Sequence, residues 1–224
     1  MTVTEVGCMV VKPDLDIMND STPEGQILTG TWNTVLSKPG GPQRVYWGLE
    51  SKDPSRLWAF FDFESIEQHQ QFAQEHGVDA VRDIPKICTH GEFTKHVKLD
   101  PSSEVLGYAT AEAMLVYFQD DITEDKQQAL SLQVKKIFEL TFAHFPGVKG
   151  VAHGWGVEKD FPTRNEDGQP RAVLMAVVGW ENAEVQRNHF DEDSHQEAVS
   201  MIAGLEGCTS FDSFTISCRH LKRS

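Results

Sequence analysis

The strongest constraint on how this chain folds is an internal repeat. The motif Trp-Gly-x-Glu occurs at residues 47–50 and again at residues 155–158, 108 positions later. Further along, Phe-Glu-Ser at 63–65 corresponds to Trp-Glu-Asn at 180–182, 117 positions later. The nine additional residues of the second copy fall in the polar loop 160–170, where an insertion costs little free energy. These ordered matches predict that the chain arose by duplication.

Each copy contains the same predicted order of elements. Short apolar runs rich in Val, Met and aromatic residues predict strands, and apolar residues at helical spacing behind a capping Ser or Thr predict helices. In the first copy we predict strand 3–11, helix 23–36, strands 43–50 and 56–63, helix 66–81 and strand 92–99. In the second we predict strand 113–119, helix 123–145, strands 148–158 and 171–180, helix 183–202 and strand 209–218. Both copies are therefore β-α-β-β-α-β, the ferredoxin-like order.

This order sets the expected fold class and domain organisation. We predict an α+β fold of two tandem ferredoxin-like repeats, residues 1–99 and 111–221, joined by the linker 100–110. An antiparallel sheet with both helices on one face leaves its other face apolar, and that face needs a cover. We therefore expect the two sheets to pack on each other as an α/β barrel, with side chains or a ligand cavity inside.

Charge and composition exclude several classes of partner. The formal net charge is −14, which disfavours nucleic acid and anionic membranes. No stretch of about 18 apolar residues occurs, and the start lacks a basic segment followed by an apolar run, so we expect a soluble, cytoplasmic protein without a membrane partner. The four cysteines show no CxxC spacing, which favours reduced, buried thiols.

The strand-to-helix junctions carry a resemblance to a known family. Residues 60–69 (Phe-Phe-Asp-Phe-Glu-Ser-Ile-Glu-Gln-His) and 177–184 (Val-Val-Gly-Trp-Glu-Asn-Ala-Glu) resemble the aromatic-Glu-Ser/Asn-x-Glu signature of the dimeric α/β-barrel superfamily. That superfamily includes antibiotic-biosynthesis monooxygenases, stress-responsive barrel proteins, polyketide cyclases and haem-binding chlorite dismutases. The resemblance implies the barrel fold, a place in secondary metabolism and further pairing as a homodimer.

Alternation along the second strands indicates one candidate site. His153 and Trp155 share a face, and Val45 and Trp47 share the corresponding face of the first copy. If that face lines the interior, His153 can act there as an acid or base. The candidate substrate-binding residues are then Trp155, Trp47, Val45 and Phe138. The alternative is a hydrogen-bonded core histidine. Polar groups concentrate in the second copy, where a site is expected.

Three further residues are catalytic candidates. Tyr117 could polarise a carbonyl or phenol, as tyrosines do in cyclases of the superfamily, or simply place its hydroxyl at a barrel rim. Its counterpart at an offset of 108 is Met9. His90 and His96 flank the last strand of the first copy, where related cyclases carry a catalytic histidine. These two histidines share a parity, so they could equally face solvent.

Two functions from different classes follow. The first is a cofactor-independent enzyme that acts on a hydrophobic aromatic or polyketide-like substrate, by oxygenation or by acid/base cyclisation, isomerisation or elimination. The second is a non-catalytic ligand-binding or stress-response barrel, with haem binding less favoured because the haem family's proximal histidine motif is not found. No glycine-rich phosphate loop or metal-ligand spacing occurs, so we expect no nucleotide cofactor and no metal.

Overall fold

The computed structural model describes residues 2–163, 169–190 and 193–223. The chain divides into two units by its internal contacts. Unit 1 comprises Met1–His96 together with Ser217–Ser224, and unit 2 comprises Val97–Ile216. None of the described helices is long and apolar enough to cross a membrane.

Unit 1 is an antiparallel sheet with helices on one face. Its elements are β1 (Val3–Val11), α1 (Pro23–Ser37), β2 (Arg44–Leu49), β3 (Arg56–Phe63), α2 (Ile66–Phe72), α3 (Val78–Ala80), β4 (Cys88–Val97) and, from the end of the chain, β9 (Arg219–Lys222). The strand order is β4-β1-β3-β2-β9. A π-helical turn, Ala73–Gly77, joins α2 to α3, so one helical segment continues over the predicted range 66–81.

Capping residues define where the helices of unit 1 begin. The hydroxyl of Thr22 accepts a hydrogen bond from the amide of Gly25 at 3.1 Å, and Pro23 takes the first helical position of α1. The hydroxyl of Ser65 accepts from the amide of Gln68 at 3.2 Å and starts α2. The junction that resembles the superfamily signature is thus a strand end followed by a helix cap.

Unit 2 repeats the arrangement. Its elements are β5 (Thr110–Gln119), α4 (Glu124–Leu140), β6 (Val148–Trp155), β7 (Arg171–Trp180), α5 (Ala183–Phe190), α6 (Asp193–Ala203) and β8 (Ser210–Ile216). The strand order is β6-β7-β5-β8, the same order as β2-β3-β1-β4 in unit 1. The predicted α+β fold of two ferredoxin-like repeats is confirmed. The closure of the two sheets into a barrel stays a prediction.

Several boundaries differ from those predicted. The last residues, placed by sequence in the second repeat, form β9, which pairs with β2 in unit 1. The described parts of the helix predicted over 183–202 are α5 and α6. Residues 191–192 between them and the inserted loop at 164–168 lie outside the described residues. The predicted linker contains a 3-10 turn, Ser103–Gly107, that belongs to unit 2.

Strand register corrects one inferred equivalence between the copies. Met9 lies opposite Leu57, and Val116 lies opposite Leu174, which is 117 positions after Leu57. The counterpart of Met9 is therefore Val116 at an offset of 107, and not Tyr117. A slip of one residue reverses the face of a strand, so Tyr117 lies on the face opposite to the one that carries Met9 in unit 1.

Each unit has its own helix-side core. In unit 1 this core includes Trp32 and Leu28 of α1 against Val45, Trp47 and Phe61 of the sheet. The corresponding core of unit 2 packs α4 and α6 against the helix-side residues of β5 and β7. Burial of these side chains is the main source of stability, at about 25 cal/mol per Å² of apolar surface removed from water.

Candidate functional site

A cavity of about 310 Å³ lies on the helix side of the unit 1 sheet. We call it the unit 1 pocket. Its walls are mostly apolar, and its polar groups are few, as is typical of small-molecule sites. The lining residues are Glu5, Gly7, Cys8, Met9, Trp32, Phe61, Val81, Ile84, Pro85, Cys88, Thr89, His90, Gly91, Phe93 and Thr94.

A chain of hydrogen bonds begins at the wall of this pocket. The Oε2 atom of Glu5 lies 3.1 Å from Nε2 of His69, and Nδ1 of His69 lies 2.8 Å from Nε2 of His96. The side chains of Glu5 and His69 are 14% and 16% exposed, and His96 is buried. Because a carboxylate only accepts, His69 donates from Nε2 to Glu5, and its Nδ1 is left to contact His96.

The fold brings these three groups together from distant parts of the sequence. Glu5 is a helix-side residue of β1, directly opposite Phe61 of β3. His69 is the fourth residue after the capping Ser65, and its ring packs on Phe63 with centroids 4.8 Å apart. His96 comes from the end of β4. A carboxylate that accepts a hydrogen bond from an imidazole is held in place and can take up a proton.

Two of these three residues were not predicted. The sequence analysis singled out neither His69 nor Glu5 as a candidate. A signal was present, because Glu5 and Glu112 are 107 positions apart and each interrupts an otherwise apolar strand. A carboxylate repeated on the buried strand of both copies indicates a built polar cluster.

Unit 2 retains the carboxylate but not the imidazole chain. Glu112 lies opposite Val178 in the sheet, and Glu5 lies opposite Phe61, which is 117 positions before Val178. The two carboxylates are therefore equivalent. Gln186 takes the place of His69 and donates to Thr215 Oγ1 at 2.9 Å. Glu112 instead contacts Nε2 of His195 at 3.0 Å, with both side chains 2% exposed.

Aromatic rings surround the Glu112–His195 pair. The His195 ring lies within 5.9 Å of Phe142 and 6.1 Å of Trp180, centroid to centroid. In such apolar surroundings, a buried polar pair depends on contacts within the protein and not on water. The two units therefore use equivalent carboxylates differently: one at a cavity wall, the other in a closed core.

The structure separates the predicted catalytic residues. His90 lines the unit 1 pocket, with its Nδ1 3.0 Å from the hydroxyl of Thr89. His96 joins the chain described above and does not face solvent. Tyr117 donates its hydroxyl to the carbonyl of Pro162 at 3.1 Å, on the face of β5 away from the helix-side core. His153 lies in unit 2 on the helix side, so it does not meet Tyr117.

The predicted substrate-contacting residues are likewise dispersed. Val45 and Trp47 are buried in the helix-side core of unit 1. The face of β2 that carries them corresponds to the face of β6 that carries His153, and it is covered by helices. Phe138 packs edge-on to His153, with centroids 6.0 Å apart. His153 lies opposite Ala176, and Trp47 lies opposite Ala59, which is 117 positions before Ala176. The counterpart of His153 is therefore Trp47 and not Val45.

His153 and Trp155 line a more open depression of about 590 Å³ in unit 2, which we call the unit 2 groove. Its other lining residues are polar apart from Leu132: Asp100, Glu124, Gln127, Gln128, Ser131 and Lys135. The Trp155 indole donates to the hydroxyl of Ser131 at 2.9 Å. Burial lowers the pKa of His153 below its usual value of 6.5, while Asp100 and the Ser131 backbone oppose the shift.

This lowered pKa gives the first prediction. Below pH 6.5 the unfolded chain protonates His153 more readily than the folded chain, so stability is lost as the pH falls below that value. We expect the free energy of unfolding, measured by urea denaturation, to fall less between pH 7.5 and pH 5.5 in His153→Gln than in the wild type. His220→Gln, at an exposed histidine, should keep the wild-type dependence. Parallel curves for His153→Gln and the wild type would contradict the assignment.

The cysteines are not disposed for nucleophilic chemistry. All four are free thiols. Burial raises the pKa of Cys88 to about 11, which keeps this pocket residue protonated near neutral pH. Cys8 donates its thiol to Glu92 at 3.1 Å. No group of three or more metal-ligating side chains occurs within residues 2–163, 169–190 and 193–223.

The chain is thus a tandem ferredoxin-like protein with a mostly apolar cavity on the helix side of its first repeat. No protein-family model matches the chain, and no curated protein sequence matches it. Solved structures do match over its full length.

Three of these structures illustrate the similarity. An anthrone oxidase-like protein superposes with a TM-score of 0.64 at 13% identity, covering 100% of this chain and 94% of its own. A provisionally assigned monooxygenase from Fusobacterium nucleatum gives 0.58 at 13% identity, covering 100% and 95%. A second, from Lactobacillus acidophilus, gives 0.56 at 15% identity, covering 100% and 97%. These structures share the fold that the repeat and the strand-to-helix junctions predicted.

Proposed function

We propose that this protein is a cofactor-independent enzyme that removes a proton from a hydrophobic aromatic or polyketide-like substrate in the unit 1 pocket. The observation that carries the proposal is the carboxylate of Glu5 at the wall of a mostly apolar cavity, hydrogen-bonded to His69. Apolar walls favour a flat hydrophobic molecule, and a carboxylate among them is a base placed where water is scarce.

The histidines position the base. His69 donates to the Glu5 carboxylate at 3.1 Å, and His96 lies 2.8 Å from the other ring nitrogen of His69, so the chain holds the carboxylate at the cavity wall and stabilises its charge. In this scheme Glu5 is the catalytic residue, and His69 and His96 act through it. A positioned general base contributes about 10²- to 10⁴-fold to a rate.

Loss of the proton makes the substrate carbon electron-rich, and oxygenation can follow. When a benzylic methylene becomes a ketone, its two C–H bonds supply four electrons to O₂. One oxygen atom enters the carbonyl, and the other leaves as water with the two hydrogens. Because the substrate is itself the reductant, the balance needs no redox cofactor. Cyclisation, isomerisation or elimination would begin with the same proton removal.

His90 has a separate place in this scheme. It lines the pocket with an exposed side chain, and it contacts Thr89 rather than the Glu5 chain. We assign it to the mouth of the pocket, where it can contact a polar end of the substrate.

The test substrate is anthrone, chosen because a structural neighbour is described as anthrone oxidase-like. Purified protein whose absorbance spectrum shows neither haem nor flavin should convert anthrone to anthraquinone, consuming one O₂ per quinone above the buffer rate. Tight binding without turnover of anthrone or other acidic aromatic ketones would favour the non-catalytic barrel. An absorbance band of haem in the purified protein would contradict cofactor independence.

A further inference from the structure

His153 is a buried polar group that the proposed function leaves unused. It lines the unit 2 groove and is 8% exposed. Its ring donates a hydrogen bond to the backbone of Ser131, so the other ring nitrogen of the neutral imidazole is an acceptor. No further hydrogen bond to this side chain occurs in the described part of the chain, and neither ring nitrogen is fully enclosed there without a partner. The acceptor is therefore open to a ligand in the groove.

One wall of the groove is a polar stripe along α4. Its residues recur every three or four positions, which places them on one face of the helix. They are Glu124, Gln127, Gln128, Ser131 and Lys135. The indole of Trp155 on β6 joins this wall to the sheet, because it donates to the Gln127 carbonyl at 3.1 Å and to the Ser131 hydroxyl at 2.9 Å. The groove is thus a fixed feature of the fold of unit 2.

The charged groups of the groove have both signs. Asp100 and Glu124 contribute carboxylates, and Lys135 contributes an ammonium group. Asp100 is held beside His153 by two backbone hydrogen bonds of 2.9 Å. An organic anion would face the two carboxylates, and an organic cation would face Lys135. Hydroxyl groups both donate and accept, so a neutral ligand that carries several can pair with the carboxylates, the ammonium group and the His153 acceptor.

We propose that the unit 2 groove is a second binding site, for a neutral polyhydroxylated ligand of the saccharide class, with His153 accepting a hydrogen bond from a ligand hydroxyl. The partly buried Trp155 and the exposed Leu132 give the groove apolar surface for the C–H face of a sugar ring. The volume of about 590 Å³ lies within the range of small-molecule sites. This site is independent of the proposed function, which is located in unit 1.

The corresponding position of unit 1 is filled by an apolar side chain. The counterpart of His153 is Trp47, which is 1% exposed, and the guanidinium carbon of Arg219 lies 5.2 Å from the centre of its ring. Packing at this position therefore needs no polar group. The histidine, and the groove that it lines, are particular to the second copy of the repeat.

The experiment titrates the full-length protein with maltose, cellobiose and lactose, followed by ¹H–¹⁵N NMR. Putrescine and glutarate serve as the cationic and anionic comparisons. At least one disaccharide should bind with millimolar affinity, which corresponds to a few net hydrogen bonds, and more tightly than either ion. The same disaccharide should shift the histidine ring signal that His153→Phe removes.

Two variants test the groove, and a third is the matched control. His153→Phe keeps an aromatic ring but has no acceptor, so the affinity should fall roughly fivefold, the equivalent of one net hydrogen bond. Gln128→Ala, at an exposed position of the α4 wall, should weaken binding to a similar extent without altering a buried group. Gln133→Ala makes the same change at an exposed α4 position outside the groove and should bind as the wild type does.

Each outcome decides the proposal. Disaccharide binding that His153→Phe weakens and Gln133→Ala leaves unchanged supports it. Failure of all three disaccharides to bind, tighter binding of putrescine or glutarate, unchanged affinity in a folded His153→Phe protein, or an equal loss in Gln133→Ala overturns it. If circular dichroism shows that His153→Phe does not fold, the comparison of Gln128→Ala with Gln133→Ala decides in the same way.

Discussion

Replacing Glu5 with glutamine is expected to slow anthrone turnover by about 10²- to 10⁴-fold. Glutamine has nearly the same shape and can still accept the hydrogen bond from His69, but it cannot take up a proton. The side chain is largely buried at the pocket wall, so the change should remove the base without opening the cavity. Initial rates of O₂ consumption measure the effect, with circular dichroism to check the fold.

Glu112→Gln is the matched control for this variant. Glu112 occupies the equivalent position in unit 2, where it contacts His195 in a closed aromatic core. Turnover by a folded Glu112→Gln protein should stay within about twofold of the wild type. An equal loss in both variants, or full activity in Glu5→Gln, would contradict the assignment of the base. His69→Gln, which copies the unit 2 residue Gln186, should lower the rate less than Glu5→Gln.

Replacing His195 with leucine is expected to destabilise the protein by about 3–5 kcal/mol, because it leaves the Glu112 carboxyl buried without its partner. Leucine fills much of the imidazole volume, so the loss reflects the missing polar contact more than a cavity. The two side chains are 2% exposed and 3.0 Å apart, so water cannot replace the lost contact. Urea denaturation followed by circular dichroism measures the change.

The double variant Glu112→Leu/His195→Leu provides the control for this prediction. Replacing both members of a buried pair with apolar residues is often close to neutral, so the double variant should be more stable than His195→Leu alone. The equivalent loss for His69→Leu in unit 1 should be smaller, because that side chain is 16% exposed. Additive losses in the double variant would show that Glu112 and His195 are not coupled.

The fold could be predicted from the sequence because its signals are local and repeated. Thr22 and Thr123 cap α1 and α4 at the starts of two predicted helices, and the alternation of apolar residues located the strands. The register between copies was harder. The offset of 108 from the Trp-Gly-x-Glu motif holds on neither pair of strands: pairing gives 107 on the first strands and 106 on the second. One residue of error placed Tyr117 on the wrong face. The pairing of β9 with β2 joins residues far apart in the sequence and has no local signal.

The candidate site was only partly accessible from the sequence. His90 and His96 were candidates flanking the last strand of the first copy, but the partners of His96, Glu5 and His69, come from β1 and α2. His69 has polar neighbours in the sequence, which do not distinguish it from surface residues, whereas in the structure its ring contacts Phe63 and His96. Burial of a polar residue depends on tertiary packing, and periodicity does not report it.

The central claim is that Glu5 takes a proton from a substrate held in the unit 1 pocket. Exchange of the methylene hydrogens of anthrone with D₂O under nitrogen tests this step directly, because no oxygen chemistry can follow. Followed by ¹H NMR, exchange should be faster with the wild type and with Glu112→Gln than in buffer, and should return to the buffer rate with Glu5→Gln. Exchange that the wild type does not accelerate, or that Glu5→Gln accelerates equally, would contradict the claim.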